Sequence, residues 1–314
     1  MGLQRNDIFN PPARARDIRL TPAKLDVLDF MQDYDVIPST YVKAQFSPDY
    51  ARNILAEFIP AKLVQIPDGY EHIDARNRIR PLQLTELALK KLSDAGRLRR
   101  RVPMNDHFKH AYLRSVIAHS FAQAPKEIPQ LTLHDEAELL NRNRPDPQPV
   151  PDNASWFEIN GHTVRPDHPA FGFTYTLGQH TASMWFHGFE ADRASERVKS
   201  DTYEKKTIAK SFDQYAEYLR RRLYTRFDTI LPFFPIITIG EGRMSTMLDA
   251  LKSIVPEETI RKRFLFKALP NFLAYAPLPP PTAHMVTEPW QRTDGDFSLI
   301  DTLKSVATSK QRAR

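Results

Sequence analysis

Three closely spaced helix starts constrain this chain more than any other feature. Thr21 precedes Pro22, Ser39 follows Ile37-Pro38, and Ser47 precedes Pro48. A hydroxyl at the N-cap accepts a first-turn backbone N–H, and Pro suits the first helical position because its N–H would have no partner there. Leu25, Val27, Leu28, Met31 and Tyr34 then recur at helical spacing, and Ala51, Ile54, Leu55 and Phe58 make one apolar face. Three short helices joined by tight turns suggest a helix-turn-helix unit. Leu63-Val64-Gln65-Ile66 reads as a strand, Pro67-Asp68-Gly69-Tyr70 as a turn, and Arg80 to Leu84 as a returning strand. Thr85 then opens a closing helix, ELALKKLSDAG. That order is the order of a winged helix, over residues 20–101, with residues 1–19 as a flexible basic arm.

The basic run Arg97-Leu98-Arg99-Arg100-Arg101 closes this unit and begins a hinge. Beyond it, over residues 102–275, the pattern changes to a mixed α/β one. A helix is expected from His107 to Ala122, and a strand plus a short helix between Leu131 and Leu140. Strand-length apolar stretches follow at Ser155–Ile159, Val164–Arg165, Phe171–Leu177 and Ala182–Phe189. A long helix comes next over Thr202–Arg222, then a buried strand over Phe233–Ile239. Met244–Ile254 reads as a helix and Phe264–Leu269 as a last strand. The overall class is α/β (α+β when both units are counted). Residues 276–314 read as a Pro-rich C-terminal tail.

Charge and composition narrow the partners. The chain carries a net charge of +6, and residues 1–101 hold 17 basic and 13 acidic groups, so the bias is concentrated N-terminally, as a polyanion partner would favour. With no cysteine, disulfides, thiolate metal sites and Cys nucleophiles are excluded. The N-terminus is polar and broken by Pro, unlike a signal peptide. The most apolar stretch, Leu231–Ile239, is about half of a bilayer span. These features predict a cytoplasmic protein with no membrane partner.

Acidic residues supply the candidate chemistry. Of five Pro-Asp pairs, only Pro166-Asp167 lies between strands with a carboxylate pair one hairpin later, Glu190 and Asp192. Residues two apart on a strand share a face, so Glu190 and Asp192 project together. If Asp167 comes from a neighbouring strand, the three converge, and Mg²⁺ is the cation that would relieve their repulsion. His162, His168, His180 and His187 surround these acids in sequence without a zinc-ligand spacing. Arg165 and Arg193 flank them, and Tyr215 reads as core.

VRPD (Val164 to Asp167), FHGFEADRASE (Phe186 to Glu196) and the helix reaching Tyr215, after PLQLTELALKKL (Pro81 to Leu92), resemble the replication-relaxation family of plasmids and mobile elements. The resemblance covers roughly residues 20–255. It implies a winged helix joined to a domain similar to PD-(D/E)xK nucleases. Asp167 would then stand at the family's PD position, and Glu190 and Asp192 at its E-x-D pair. Such nucleases usually carry Lys two residues after the Glu, where this chain has Asp192. Lys205, near the start of the following helix, is the candidate stand-in.

On the first unit, Arg52 and Asn53 lie opposite the apolar face of the helix from Pro48, with Glu57 beside them. Arg reads guanine and Asn adenine through paired hydrogen bonds. Lys43, Arg76, Arg78, Arg80 and the arm's Arg14 and Arg16 are placed to meet phosphates. The expected function is sequence-specific binding of double-stranded DNA in replication control, transfer or transcription, by a homodimer if half-sites are paired. An Mg²⁺-dependent endonuclease or nickase using Asp167, Glu190, Asp192 and Lys205 is the first rival. A protein-binding scaffold is the second.

Overall fold

The computed structural model describes residues 18–67, 80–99, 108–142, 144–151, 153–193, 198, 207–227, 231–269 and 278–312. It is a mixed α/β protein that divides into two compact units, Met1–Ala118 and His119–Arg314.

In the first unit, Thr21 accepts the Lys24 N–H and starts α1 (Pro22–Met31). A two-residue strand, β1 (Ile37–Pro38), leads into α2 (Ser39–Gln45), and Ser47 accepts the Tyr50 N–H at the head of α3 (Pro48–Phe58). β2 (Val64–Gln65) and β3 (Pro81–Leu84) follow, then α4 (Glu86–Asp94), capped by Thr85. β3 lies between β1 and β2, antiparallel to both. Val27, Leu28, Val42, Ala51, Phe58, Leu82 and Leu92 form the core. The apolar face read from α3 is the buried one: Ala51, Ile54, Leu55 and Phe58.

Ser39 departs from its expected role. Pro38 holds the N-cap position of α2, and no side chain caps it. Ser39 instead closes a ring with Arg80: its N–H donates to the Arg80 carbonyl (2.7 Å) and its Oγ accepts the Arg80 N–H (3.1 Å). The hydroxyl pins the sheet where β3 enters.

The basic run after α4 is likewise not a free hinge start. Arg97 pairs with Asp26 (2.6 Å), and Arg99 with Asp33 (2.6 Å) and Asp29 (2.8 Å). Buried Gln32 accepts the Arg99 N–H (2.8 Å) and donates to the Arg97 carbonyl (3.0 Å). This acid-lined side of α1 fastens the segment. The unit then runs past the expected limit at residue 101. The first turns of α5 (Phe108–Glu127) count with it, Arg114 being paired with Asp35 and Ser115 Oγ accepting the Val36 N–H (3.4 Å).

The second unit continues with β4 (Leu131–His134) and α6 (Glu136–Asn141), which opens on a reciprocal Asp135–Glu138 capping box. A hairpin of β5 (Phe157–Ile159) and β6 (His162–Val164) turns at Asn160-Gly161, both at positive φ as a two-residue turn requires. Then come β7 (Phe171–Leu177), β8 (His180–Phe186), β9 (Glu190–Asp192), α7 (Ile208–Arg220) and a 3₁₀ turn (Leu223–Phe227). β10 (Phe234–Thr238), α8 (Glu241–Ile254), α9 (Glu258–Arg261) and β11 (Phe264–Ala268) complete the expected part.

β4, β7 and β8 pair antiparallel, and β9, β10 and β11 pair parallel. A parallel bridge between Phe186 and Phe233 joins the two sets. β8 and β9 are thus successive parts of one line, bent at Gly188. Its φ is +79°, and a Cβ there would sit 2.0 Å from the His168 carbonyl oxygen, so glycine is required. Phe212, Tyr215, Phe234, Ile236, Met247, Leu251, Phe264 and Phe266 fill the layer between the sheet and helices α7 and α8. By alternation the other sheet face carries a second cluster around Phe121, whose ring lies 4.8 Å from Phe171 and 6.3 Å from Trp290.

Residues 278–312 are no tail. They form α10 (His284–Thr287), β12 (Trp290–Arg292), β13 (Gly295–Phe297) and α11 (Leu299–Arg312). β12 pairs with β11, and α11 packs on β7 and β8. Trp290 is fully buried and donates to the Met285 carbonyl (2.7 Å); Leu299, Leu303 and Ala307 are buried too.

Candidate functional site

Glu190 and Asp192 share a face, as the strand period requires, and each meets a helix on it. Glu190 accepts a hydrogen bond from the Tyr215 hydroxyl of α7. Asp192 accepts from Arg243 of α8 through Nε (2.5 Å) and Nη2 (2.7 Å), and from Thr238 Oγ1 on β10 (2.7 Å). The Asp192 side chain is 3 % exposed and that of Arg243 18 %.

Asp167 does not come from a neighbouring strand. It lies in the segment after β6, which runs beside β9: its N–H donates to the Phe189 carbonyl (3.1 Å) and its Oδ2 accepts the Ala191 N–H (2.8 Å). It is close enough to Glu190 for both charges to act on one group. Burial first, and then the negative charges of Glu190 and Asp167, hold the Tyr215 phenol well above its ordinary value. Tyr215 is therefore a neutral donor within the core.

This donor set does not fit a Mg²⁺ ion. Such an ion takes carboxylate oxygens and keeps several waters. Here both Asp192 oxygens serve an arginine fork, Glu190 serves a phenol and one Asp167 oxygen serves a backbone N–H. Among the described residues, no three His, Asp or Glu side chains are arranged to hold a metal. Lys205 lies outside the described residues. Arg243 escapes a reading of the sequence because it stands 51 residues from Asp192 with no spacing that links them.

Two of the neighbouring histidines, His187 and His168, pack within the fold. His187 is buried, its Nε2–H facing the Ser155 carbonyl (3.0 Å), which leaves Nδ1 to accept from the Tyr218 hydroxyl (2.9 Å). Burial, helped by Arg226, pushes it down to about 3, so it is neutral. His168 stacks on Phe189 at 4.7 Å and bonds the Pro169 carbonyl through Nδ1 (2.8 Å).

In the first unit, α3 presents Arg52, Asn53, Ala56 and Glu57 to solvent. Arg52 is 67 % exposed, and its 3.2 Å pair with exposed Asp49 is of the weak surface kind. Glu57 is drawn to Lys24 of α1 (2.5 Å), which offsets its charge beside Asn53. Lys43 is half-buried on α2, and Arg80 sits where β3 meets Ser39. Arg14, Arg16, Arg76 and Arg78 lie outside the described residues. The Arg97–Arg99 clasp was legible in principle: Asp26 and Asp29 on α1 and Asp33 just past its end recur at helical spacing.

No protein-family model matches the chain, and no curated protein or solved structure is significantly similar to it. Among the described residues no helix is long and apolar enough to cross a membrane.

Proposed function

We propose that the first unit is a winged helix that binds double-stranded DNA, and that the second is a nuclease-like domain without a cutting centre, in the manner of the replication-relaxation proteins the sequence resembles. The observation that carries this reading is the three-stranded sheet β1-β3-β2 in one unit with helices α1 to α4, of which α3 turns Arg52 and Asn53 outward. A helix so exposed and so supported suits insertion into a major groove. For the second unit, support comes from the run of Asp167 before β7, Glu190 and Asp192 after the β7–β8 hairpin, and a helix beyond. The Arg243 fork on Asp192 favours binding over catalysis, since it supplies the neutralising charge a metal would otherwise bring.

A mobility shift on duplex DNA fragments tests the reading. Binding should weaken steeply with salt. Arg52→Ala and Asn53→Ala should each cost about 1–3 kcal/mol on the preferred sequence, roughly 5- to 150-fold. Supercoiled DNA with Mg²⁺ should stay intact. Unchanged binding by the double variant would sink the DNA assignment, and cutting that Asp167→Ala abolishes would make the protein an endonuclease.

A further inference from the structure

A second basic feature lies on the other unit, far in sequence from α3. Phe233 precedes β10 and Arg263 precedes β11; Arg292 ends β12 and Phe297 ends β13. Phe234 and Phe264 are register partners facing α7 and α8, so alternation turns Phe233 and Arg263 to the opposite face. The pairings Phe266 with Gln291 and Trp290 with Phe297 put Arg292 and Phe297 on that same face. Four side chains on or next to four strands meet there. The Arg263 guanidinium lies 4.9 Å from the Phe233 ring, Phe233 lies 5.4 Å from Phe297, and the Arg292 guanidinium lies 4.5 Å from Phe297.

These arginines are poorly served for groups of their kind. Arg263 makes one long hydrogen bond, to the Leu231 carbonyl (3.4 Å), and has no carboxylate partner among the described residues. Arg292 gives one N–H to Asp294 (2.9 Å), and its buried Nε has no acceptor among them. Neighbouring Lys262 is shared between Glu258 and the same Asp294. Burial, and then the like charge of Arg292, push Arg263 below its ordinary value. A pair of partly desolvated cations stacked against rings, with donors unused, is an arrangement that an anion stabilises. Guanidinium donors match phosphate oxygens in pairs, and a guanidinium plane backed by an aromatic ring also offers a stacking surface to a base.

We propose that Arg263 and Arg292, backed by Phe233 and Phe297, bind the phosphate backbone of a nucleic-acid strand on the second unit. That the phosphate belongs to DNA rests on the reading of the first unit; the anion site rests on its own geometry.

The test uses the full chain and a short duplex carrying 5-bromouracil, irradiated and then mapped by mass spectrometry. Crosslinks should fall on peptides containing Phe233 or Phe297 and vanish in Arg263→Gln/Arg292→Gln. They should persist in Arg263→Lys, which keeps the charge, and in Arg52→Ala. The same glutamine pair should lower the slope of log affinity against log salt by about 1–2, one unit for each phosphate that is no longer neutralised. Near-UV circular dichroism of that variant checks that its fold is intact. Crosslinks confined to α3 with an unchanged slope would refute the second site and leave the first unit's reading standing. Crosslinks at Phe233 or Phe297 alone would keep this site and overturn the first. Phenylglyoxal labelling separates the sources: protection of Arg263 by the duplex but not by the same concentration of inorganic phosphate supports a strand. Equal protection by both would reassign the site to free phosphate.

Discussion

Replacing Arg243 by Ala should destabilise the second unit by about 3 kcal/mol. Breaking a buried ion pair by removing one partner typically costs about 3–5 kcal/mol, because a charge is left in the interior without compensation. Two observations set the value at the low end. Thr238 Oγ1 still donates to Asp192 at 2.7 Å, and Arg243 is 18 % exposed, so water can enter where its guanidinium was. At about 2–4 °C per kcal/mol for a unit of this size, the midpoint of thermal unfolding should fall by about 6–12 °C. Asp192→Asn should cost less, about 1–2 kcal/mol, since the amide keeps an acceptor and the arginine left behind reaches solvent. Adding Arg243→Ala to Asp192→Asn should then cost about 1 kcal/mol instead of about 3, a coupling of about 2 kcal/mol in a double-mutant cycle followed by urea unfolding. An Arg243→Ala protein within about 0.5 kcal/mol of the parent would refute the lock. So would an Asp192→Asn variant that is less stable than Arg243→Ala.

Burial holds the imidazoles of His119, His187 and His284 down to about 3, about 3 and about 4, so they are neutral in the fold and protonate near 6.5 once it opens. Their contribution is complete above pH 6.5 and declines as pH drops from there, by about 2 kcal/mol each at pH 5; urea midpoints that are level between about pH 7.5 and 5 would contradict this. Gly188→Ala should cost about 2–4 kcal/mol through positive φ and the His168 carbonyl, measured by thermal unfolding, and Gly178→Ala, at positive φ but in open space, should cost less. Arg99→Ala should remove about 1 kcal/mol by releasing Asp29 and Asp33, with the loss shrinking at high salt; a salt-independent effect would point instead to the lost bond from its guanidinium to the Asp29 carbonyl.

What could be read beforehand was what local chemistry dictates. The limits of β7 coincide with the expected ones because Phe171–Leu177 alternates cleanly before a glycine turn. The α3 face followed from four apolar positions at helical spacing, and Thr21, Ser47 and Thr85 cap as their neighbours imply. Ser39 failed because its partner, Arg80, is 41 residues away. Asp192 could be placed on a face but not given a partner, since only the packing of α8 against the sheet brings Arg243 to it. The C-terminal elements escaped because β12 and β13 are three residues each, too short for any period, and proline-rich sequence precedes them. Leu299, Leu303 and Ala307 did carry a helical spacing that was legible.

That last stretch bears on how the protein comes into being. Strand β11 pairs on one side with β10, and its other side waits for β12, which leaves the ribosome only after β4 through β11 have all emerged. Until then a nascent chain would show an open β edge beside a half-covered β7–β8 surface, the kind of exposure that chaperones shield and that seeds aggregation. A premature stop just before His284 should accordingly yield insoluble material, although every residue of the carboxylate site would already have been synthesised.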